Sequence, residues 1–185
     1  MTKAILSEES AAARSRYVEQ ELAAAIARGA TQFVVLGAGL NAFAIRNSNP
    51  RLRVFEFDHA EDKPLPALLE ASGFRPDEIS VFAWFGTSPY ATAEAAIRTL
   101  AFIGSLPTGT SLVFDYTAER SSPDSVTPTA MDALASRVTN GGEPLLVLRP
   151  HALNRMLRSA GFRHIEDLGP SGIGRGLAHL VNART

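Results

Sequence analysis

The hydrophobic positions of this chain alternate between two patterns: short unbroken apolar runs and longer stretches with helical spacing. Ser7 followed by Glu8 and Glu9 suits a helix start, and the segment to Arg28 is rich in Ala, Glu, Arg and Leu. Within it Tyr17, Leu22, Ala25 and Ile26 recur at roughly helical spacing, so one face is expected to pack on a sheet, with Gly29 as the stop. Residues 31–36 then read as a buried strand running straight into Gly37-Ala38-Gly39, and a short helix is expected over 41–46. A turn at 47–50 leads to a second strand at 52–58, so strand, glycine turn, helix and strand make a βαβ unit. A helix at 65–71 ends at Gly73; a strand at 79–84, a helix at 92–105 and a strand at 111–116 follow.

Residues 117–127 are polar and carry Pro123, which predicts an exposed loop or lid. Helices are expected around 130–138 and 151–160, and strands at 163–168 and 177–181 joined by a glycine-rich turn over 169–176, a closing hairpin. No internal repeat interrupts the series. The pattern predicts an α/β sandwich with a mostly parallel sheet and a C-terminal antiparallel hairpin, organised as a single domain. Its parts would be an N-terminal helix over 1–30 and a Rossmann-like core over 31–185.

Composition narrows what such a domain can do. The chain has 185 residues, 45% hydrophobic and 20% charged, with a mean hydropathy of +0.02, as expected for one soluble globular unit. Eighteen basic against nineteen acidic residues leave a net charge of −1, so nothing argues for a nucleic-acid or anionic-membrane partner, and a small-molecule substrate is the default. The absence of cysteine excludes disulfides, thiolate zinc sites, iron–sulfur clusters and cysteine nucleophiles. The start turns acidic at Glu8 and Glu9 before any signal-like apolar core, and the most apolar stretch, 33–45, is far short of the roughly 20 residues a membrane span needs. A cytoplasmic protein is expected.

Open α/β sheets bind ligands outside the carboxyl ends of their strands. After the first strand, Gly37-Ala38-Gly39-Leu40-Asn41-Ala42 fits G-x-G-x-x-A, in which missing side chains let the backbone approach a ligand. Glu56 and Asp58 lie 17 and 19 positions beyond Gly39, about where a carboxylate would meet a ribose hydroxyl pair. Together these point to a nucleoside ligand. A dinucleotide and S-adenosylmethionine both use such a turn and such an acid, so spacing alone does not choose between them.

Several stretches, in order, carry a resemblance. Arg14-Ser15-Arg16-Tyr17, Phe33-Val34-Val35-Leu36-Gly37-Ala38-Gly39-Leu40 and Val54-Phe55-Glu56-Phe57-Asp58-His59 resemble the leucine carboxyl methyltransferase family. Ala83-Trp84-Phe85-Gly86 with Tyr90, Leu112-Val113-Phe114-Asp115-Tyr116, and Gly142-Glu143-Pro144 leading to Gly161-Phe162 continue the similarity, which runs from Arg14 to Leu168. The resemblance implies a class I methyltransferase sandwich, S-adenosylmethionine as cofactor and methylation of an oxygen on a small molecule or carboxylate. It implies that Arg14 meets the carboxylate of the methionine moiety, a role suited to a guanidinium. It further implies that Gly37, Ala38, Gly39 and Asn41 form the cofactor loop, that Glu56 or Asp58 reaches the ribose, and that Phe85 stands on the cofactor side of a later strand. Tyr90 and Tyr116, at or past strand ends, are the candidates for contact with the reacting groups, and a homodimer is allowed.

The chain also departs from the family. Asn41 replaces an aspartate and Phe85 a glutamate, and the 20 residues between Asp58 and Ile79 leave room for one helix but not for the family's next strand. These departures motivate a second reading, a relative that has lost catalysis and acts as a binding or assembly protein. A third, an NAD-dependent oxidoreductase, is compatible with the glycine fingerprint, although no tyrosine–lysine pair is evident. The four histidines are scattered without helical ligand spacing, so no metal site is expected. His59-Ala60-Glu61 lacks the cysteines of a zinc deaminase, and Gly86-Thr87-Ser88-Pro89 is no nucleophile elbow.

Overall fold

A computed structural model describes residues 8–37, 49–57, 64–85, 93–118, 147–169 and 178–185. Four helices, α1 (Glu8–Ala27), α2 (Leu65–Ala71), α3 (Ala93–Gly104) and α4 (Pro150–Ala160), accompany seven strands among these residues. The strands are β1 (Gln32–Leu36), β2 (Arg53–Phe57), β3 (Ser80–Trp84), β4 (Ser111–Ala118), β5 (Val147–Leu148), β6 (His164–Leu168) and β7 (Ala178–Arg184). They form one sheet in the order β2-β1-β3-β4-β7-β6, with β5 beside β4.

Pairing is parallel from β2 through β4, and β7 is antiparallel to both β4 and β6. The mostly parallel sheet and the antiparallel closing pair are as the pattern predicts. β1 and β3 flank the point where the order reverses, since the chain steps from β1 to β2 on one side and returns across β1 to β3 on the other. Such a reversal opens a crevice at the carboxyl ends of the two strands.

Alternation along the strands builds two cores. Val34, Phe82, Leu112, Phe114 and Tyr116 face α2, α3 and α4. Phe33, Val35, Val81, Ala83 and Val113 face Val18, Leu22 and Ala25 of α1. β1 and β3 are buried on both faces, which explains their continuous apolar runs. β2 is the edge strand and alternates between half-buried and exposed positions. No described residue pairs with it beyond β1.

α3 and α4 touch backbone to backbone. A Cβ at Gly104 would stand 1.9 Å from the Ala160 carbonyl oxygen, and one at Gly161 would stand 2.5 Å from that of Gly104. Gly161 also caps α4 in the left-handed conformation at φ 111°, where a side chain is strained.

Two expectations need correction. The polar stretch from Thr117 does not start as a loop: Thr117 and Ala118 extend β4 and pair with Val147 and Leu148 of β5, a strand too short to leave a periodic signal. β7 likewise runs past Val181 to Arg184, because β4 offers it a partner at every position from Ser111 to Thr117. The helices expected over 41–46 and 130–138, and nearly all of the glycine-rich turn, lie outside the described residues.

Candidate functional site

The carboxyl edge begins at Gly37, which leaves β1 at φ 93°. An L side chain there would be strained, so the glycine is needed for the turn itself. Its N–H donates to the Phe57 carbonyl of β2 at 2.8 Å, and the Phe85 N–H donates to the Leu36 carbonyl of β1 at 3.4 Å. The first residues past β1 and β3 are thus tied to the neighbouring strand ends.

Beneath this edge lies a buried ion pair. Arg14 of α1 holds Nη1 2.6 Å from Oδ2 of Asp115 on β4, with the two side chains 7% and 3% exposed. α1 runs antiparallel to β1, which brings its amino-terminal half to the carboxyl edge, and alternation along β4 turns Asp115 to the same face as Val113. Removing two charges from water costs several kcal/mol each, so such a pair persists where geometry and further hydrogen bonds compensate. Asp115 was not singled out from sequence. Its signal was a single carboxylate inside an otherwise apolar strand.

The other expected cofactor residues are distributed unevenly. Glu56 is exposed near the carboxyl end of β2, on the α1 face, in register with Val35. Phe85 is 6% exposed and belongs to the α1-side core, so its ring forms the floor below the edge. Ala38, Gly39, Asn41, Asp58 and Tyr90 lie outside the described residues.

A second polar group occupies the same edge on the opposite face. The Tyr116 hydroxyl donates to Asp167 Oδ2 at 2.6 Å and lies 3.3 Å from His179 Nδ1. His179 Nδ1 is in turn 2.8 Å from Asp167 Oδ1. Tyr116 and His179 are direct partners across β4 and β7, and Asp167 stands near the end of β6. Burial first, then the hydrogen bond to the Asp167 carboxylate and its charge, push the Tyr116 phenol far above its ordinary range. Tyr116 therefore stays protonated and cannot itself serve as a base near neutral pH. Its ring continues an aromatic series from Trp84 through Phe114 to His179 with centroid spacings of 6.3, 6.4 and 5.2 Å. Neither Asp167 nor His179 was singled out from sequence, because they stand 12 positions apart and only the β6–β7 register joins them.

On the α1 face, Asn182 donates to the Tyr17 hydroxyl at 3.3 Å and Tyr17 donates to Glu166 at 3.0 Å, fastening α1 to the β6–β7 pair. Burial above all, and the Glu166 carboxylate, raise the Tyr17 pKa to about 12. A polar cleft of about 330 Å³, lined by Arg158, Arg163, His164 and Arg184 among others, lies toward the opposite edge, away from Gly37. Among the described residues no cluster could hold a metal ion, and no helix is long and apolar enough to cross a membrane.

Residues 3–63 match the profile of the leucine carboxyl methyltransferase family. A Bacillus subtilis (strain 168) protein named "Putative S-adenosyl-L-methionine-dependent methyltransferase YktD" is 28% identical over 87% of this chain and 63% of its own length. A Frankia alni protein given the same general name is 33% identical over 57% of this chain and 48% of its own length. The chain therefore spans less than two thirds of the length of the curated relatives it matches. A crystal structure described as a "putative O-methyltransferase" from Nostoc punctiforme superposes with a TM-score of 0.61 at 15% identity, covering 98% of this chain and 57% of that one. The architecture is the class I methyltransferase fold, an α/β Rossmann-like sandwich. By sequence, this chain is similar over residues 3–63 to the leucine carboxyl methyltransferase family, and its curated relatives carry the name of S-adenosylmethionine-dependent methyltransferases.

Proposed function

We propose that this chain binds S-adenosylmethionine at the crevice between β1 and β3 and transfers its methyl group to an oxygen acceptor, a small molecule or a carboxylate. The observation that carries this reading is the left-handed Gly37 at the switch point, on the same carboxyl edge of the sheet as a buried guanidinium, in a chain whose relatives are named methyltransferases. The residues suit that ligand. A glycine turn lets a nucleoside approach the backbone, Arg14 is the group for a methionine carboxylate, and Glu56 with Asp58 supplies acids for the ribose hydroxyls. In this reading Asp115 is a positioning residue: it holds the Arg14 guanidinium, which has five donors in a fixed plane, in the orientation the ligand meets.

Bound S-adenosylmethionine supplies an activated methyl on a sulfonium, so the chain's main task is to align the acceptor. Aromatic faces suit a positive sulfur, and the rings of Trp84, Phe114 and Tyr116 gather near the ends of β3 and β4. Tyr116 acts as a neutral hydrogen-bonding wall and not as a base. Glu56 and Asp58 orient the sugar.

Calorimetric titration with S-adenosylmethionine, S-adenosylhomocysteine and NAD tests the reading. Saturable binding of the two sulfur nucleosides, at micromolar levels and without NAD binding, is the expected result. Binding of NAD alone would replace it by the oxidoreductase reading. A specific feature favours one alternative, a non-catalytic binding relative: the sheet stops at β2 among the described residues, and Asn41 and Phe85 stand where the resembled family carries acids. Failure of all three ligands to bind would select that alternative.

A further inference from the structure

Tyr116, Asp167 and His179 are drawn from three strands and meet at the carboxyl edge, the same edge as Gly37. Their geometry assigns the protons. Asp167 uses one oxygen to accept from the Tyr116 hydroxyl at 2.6 Å and the other to face His179 Nδ1 at 2.8 Å. A carboxylate only accepts, so Nδ1 must carry the hydrogen, and in a neutral imidazole Nε2 is then the basic lone pair. The side chains of His179 and Asp167 are 19% and 26% exposed, sheltered yet reachable. β7 stands two strands from β3, about 10 Å at ordinary strand spacing, so the imidazole and the crevice share one edge of the sheet.

We propose that His179, oriented by Asp167 and Tyr116, is the general base of this site and that the methyl acceptor is accordingly a weakly acidic hydroxyl, phenolic or alcoholic. The proposal rests on the methyltransferase reading and sharpens it. A carboxylate acceptor is already ionised near neutral pH and needs no base, whereas a hydroxyl must lose its proton as it reacts. In the step, the acceptor oxygen bonds to the methyl carbon while the methyl–sulfur bond breaks with its electron pair on sulfur. The hydroxyl proton passes to His179 Nε2, Asp167 stabilises the imidazolium, and the proton leaves to solvent. Tyr116 keeps the second carboxylate oxygen engaged, so that Asp167 cannot swing away from the ring.

Two measurements test this. Nitrogen-15 NMR of ring-labelled histidine, with the His179 signal assigned through His179→Gln, is expected to find the hydrogen of the neutral ring on Nδ1 and Nε2 bare. The opposite tautomer overturns the proposal whether or not any acceptor is turned over. Methyl transfer from S-adenosylmethionine to phenol, to 4-nitrophenol and to benzoate is then compared in the wild type and His179→Gln. The expected loss is about 100-fold or more for phenol, in the range of general-base contributions, and only a few-fold for 4-nitrophenol, which is largely ionised in mildly alkaline buffer. Equal losses on both phenols indicate a structural role and overturn the proposal, as does turnover of benzoate alone; if none of the three reacts, the tautomer decides. S-Adenosylhomocysteine titration of both proteins keeps the two readings apart. Absent binding in the wild type removes the methyltransferase reading, while unchanged binding in His179→Gln is expected if the residue serves the acceptor.

Discussion

The two edges of the sheet are built from different chemistry. At the amino edge, polar side chains close backbone groups. Gln32, fully buried, donates to the Arg75 carbonyl at 2.7 Å and to Ser80 Oγ at 3.0 Å, and accepts from the Arg75 N–H at 2.8 Å. Thr185 Oγ1 donates to the Pro107 carbonyl at 3.0 Å, and Thr31 and Arg53 both donate to Glu78. At the carboxyl edge the polar side chains pair with one another: Arg14 with Asp115, and Tyr116 with Asp167 and His179. Side chains finish backbone groups at the amino edge and satisfy one another at the carboxyl edge. This division follows from the topology, since only at the carboxyl ends do the crossovers diverge and open a crevice.

The largest break of this contrast is expected at the buried ion pair. Asp115→Ala removes the carboxylate partner of a guanidinium held in a low-dielectric site and should cost about 3–5 kcal/mol, read by urea denaturation. The double variant Arg14→Met with Asp115→Leu should recover most of that stability and still fail to bind S-adenosylhomocysteine. Restored binding in the double variant would remove Arg14 from the site.

Gly104→Ala strikes the amino edge, where the added Cβ meets the Ala160 carbonyl at 1.9 Å. Forcing α3 and α4 apart should cost about 1–3 kcal/mol while leaving ligand affinity within about two-fold. A large loss of affinity with intact stability would show that the edges are not independent.

The smallest effect concerns pH. The Thr31 hydroxyl first, then Arg53 and Arg75, hold Glu78 below its usual carboxylate range. A folded pKa below the unfolded value means that the contribution is present above the ordinary glutamate range and is lost as pH falls through the lowered folded value. Glu78→Gln should therefore flatten the acid limb of the melting temperature against pH, with no change near neutrality in its slope. An unchanged acid limb would mean that other carboxylates govern it.

How much was legible in sequence depends on the range over which each feature is specified. The unbroken apolar runs of β1 and β3, the helical spacing of Tyr17, Leu22 and Ala25, and the glycines at 29, 37 and 73 are local signals, and each marks an element or an end that the structure contains. β5 was missed because two residues carry no period, and the last residues of β7 because their strand conformation depends on β4 as a partner. Phe85 was legible as a departure at a strand end but not as the core residue it is, since its burial comes from packing beneath the edge.

The sequence by itself determined the alternation of helices and strands, because period and turn chemistry act between residues a few positions apart. It also determined the turn at Gly37, where only glycine adopts the backbone without strain. Tertiary structure alone decided the strand order that puts the crevice between β1 and β3, and the meeting of Arg14 with Asp115 across 101 residues. It also decided the joining of Tyr116, Asp167 and His179 across three strands. The physical reason is register: once two strands pair, every side chain acquires a neighbour and a face, and no local pattern encodes which strand that neighbour comes from.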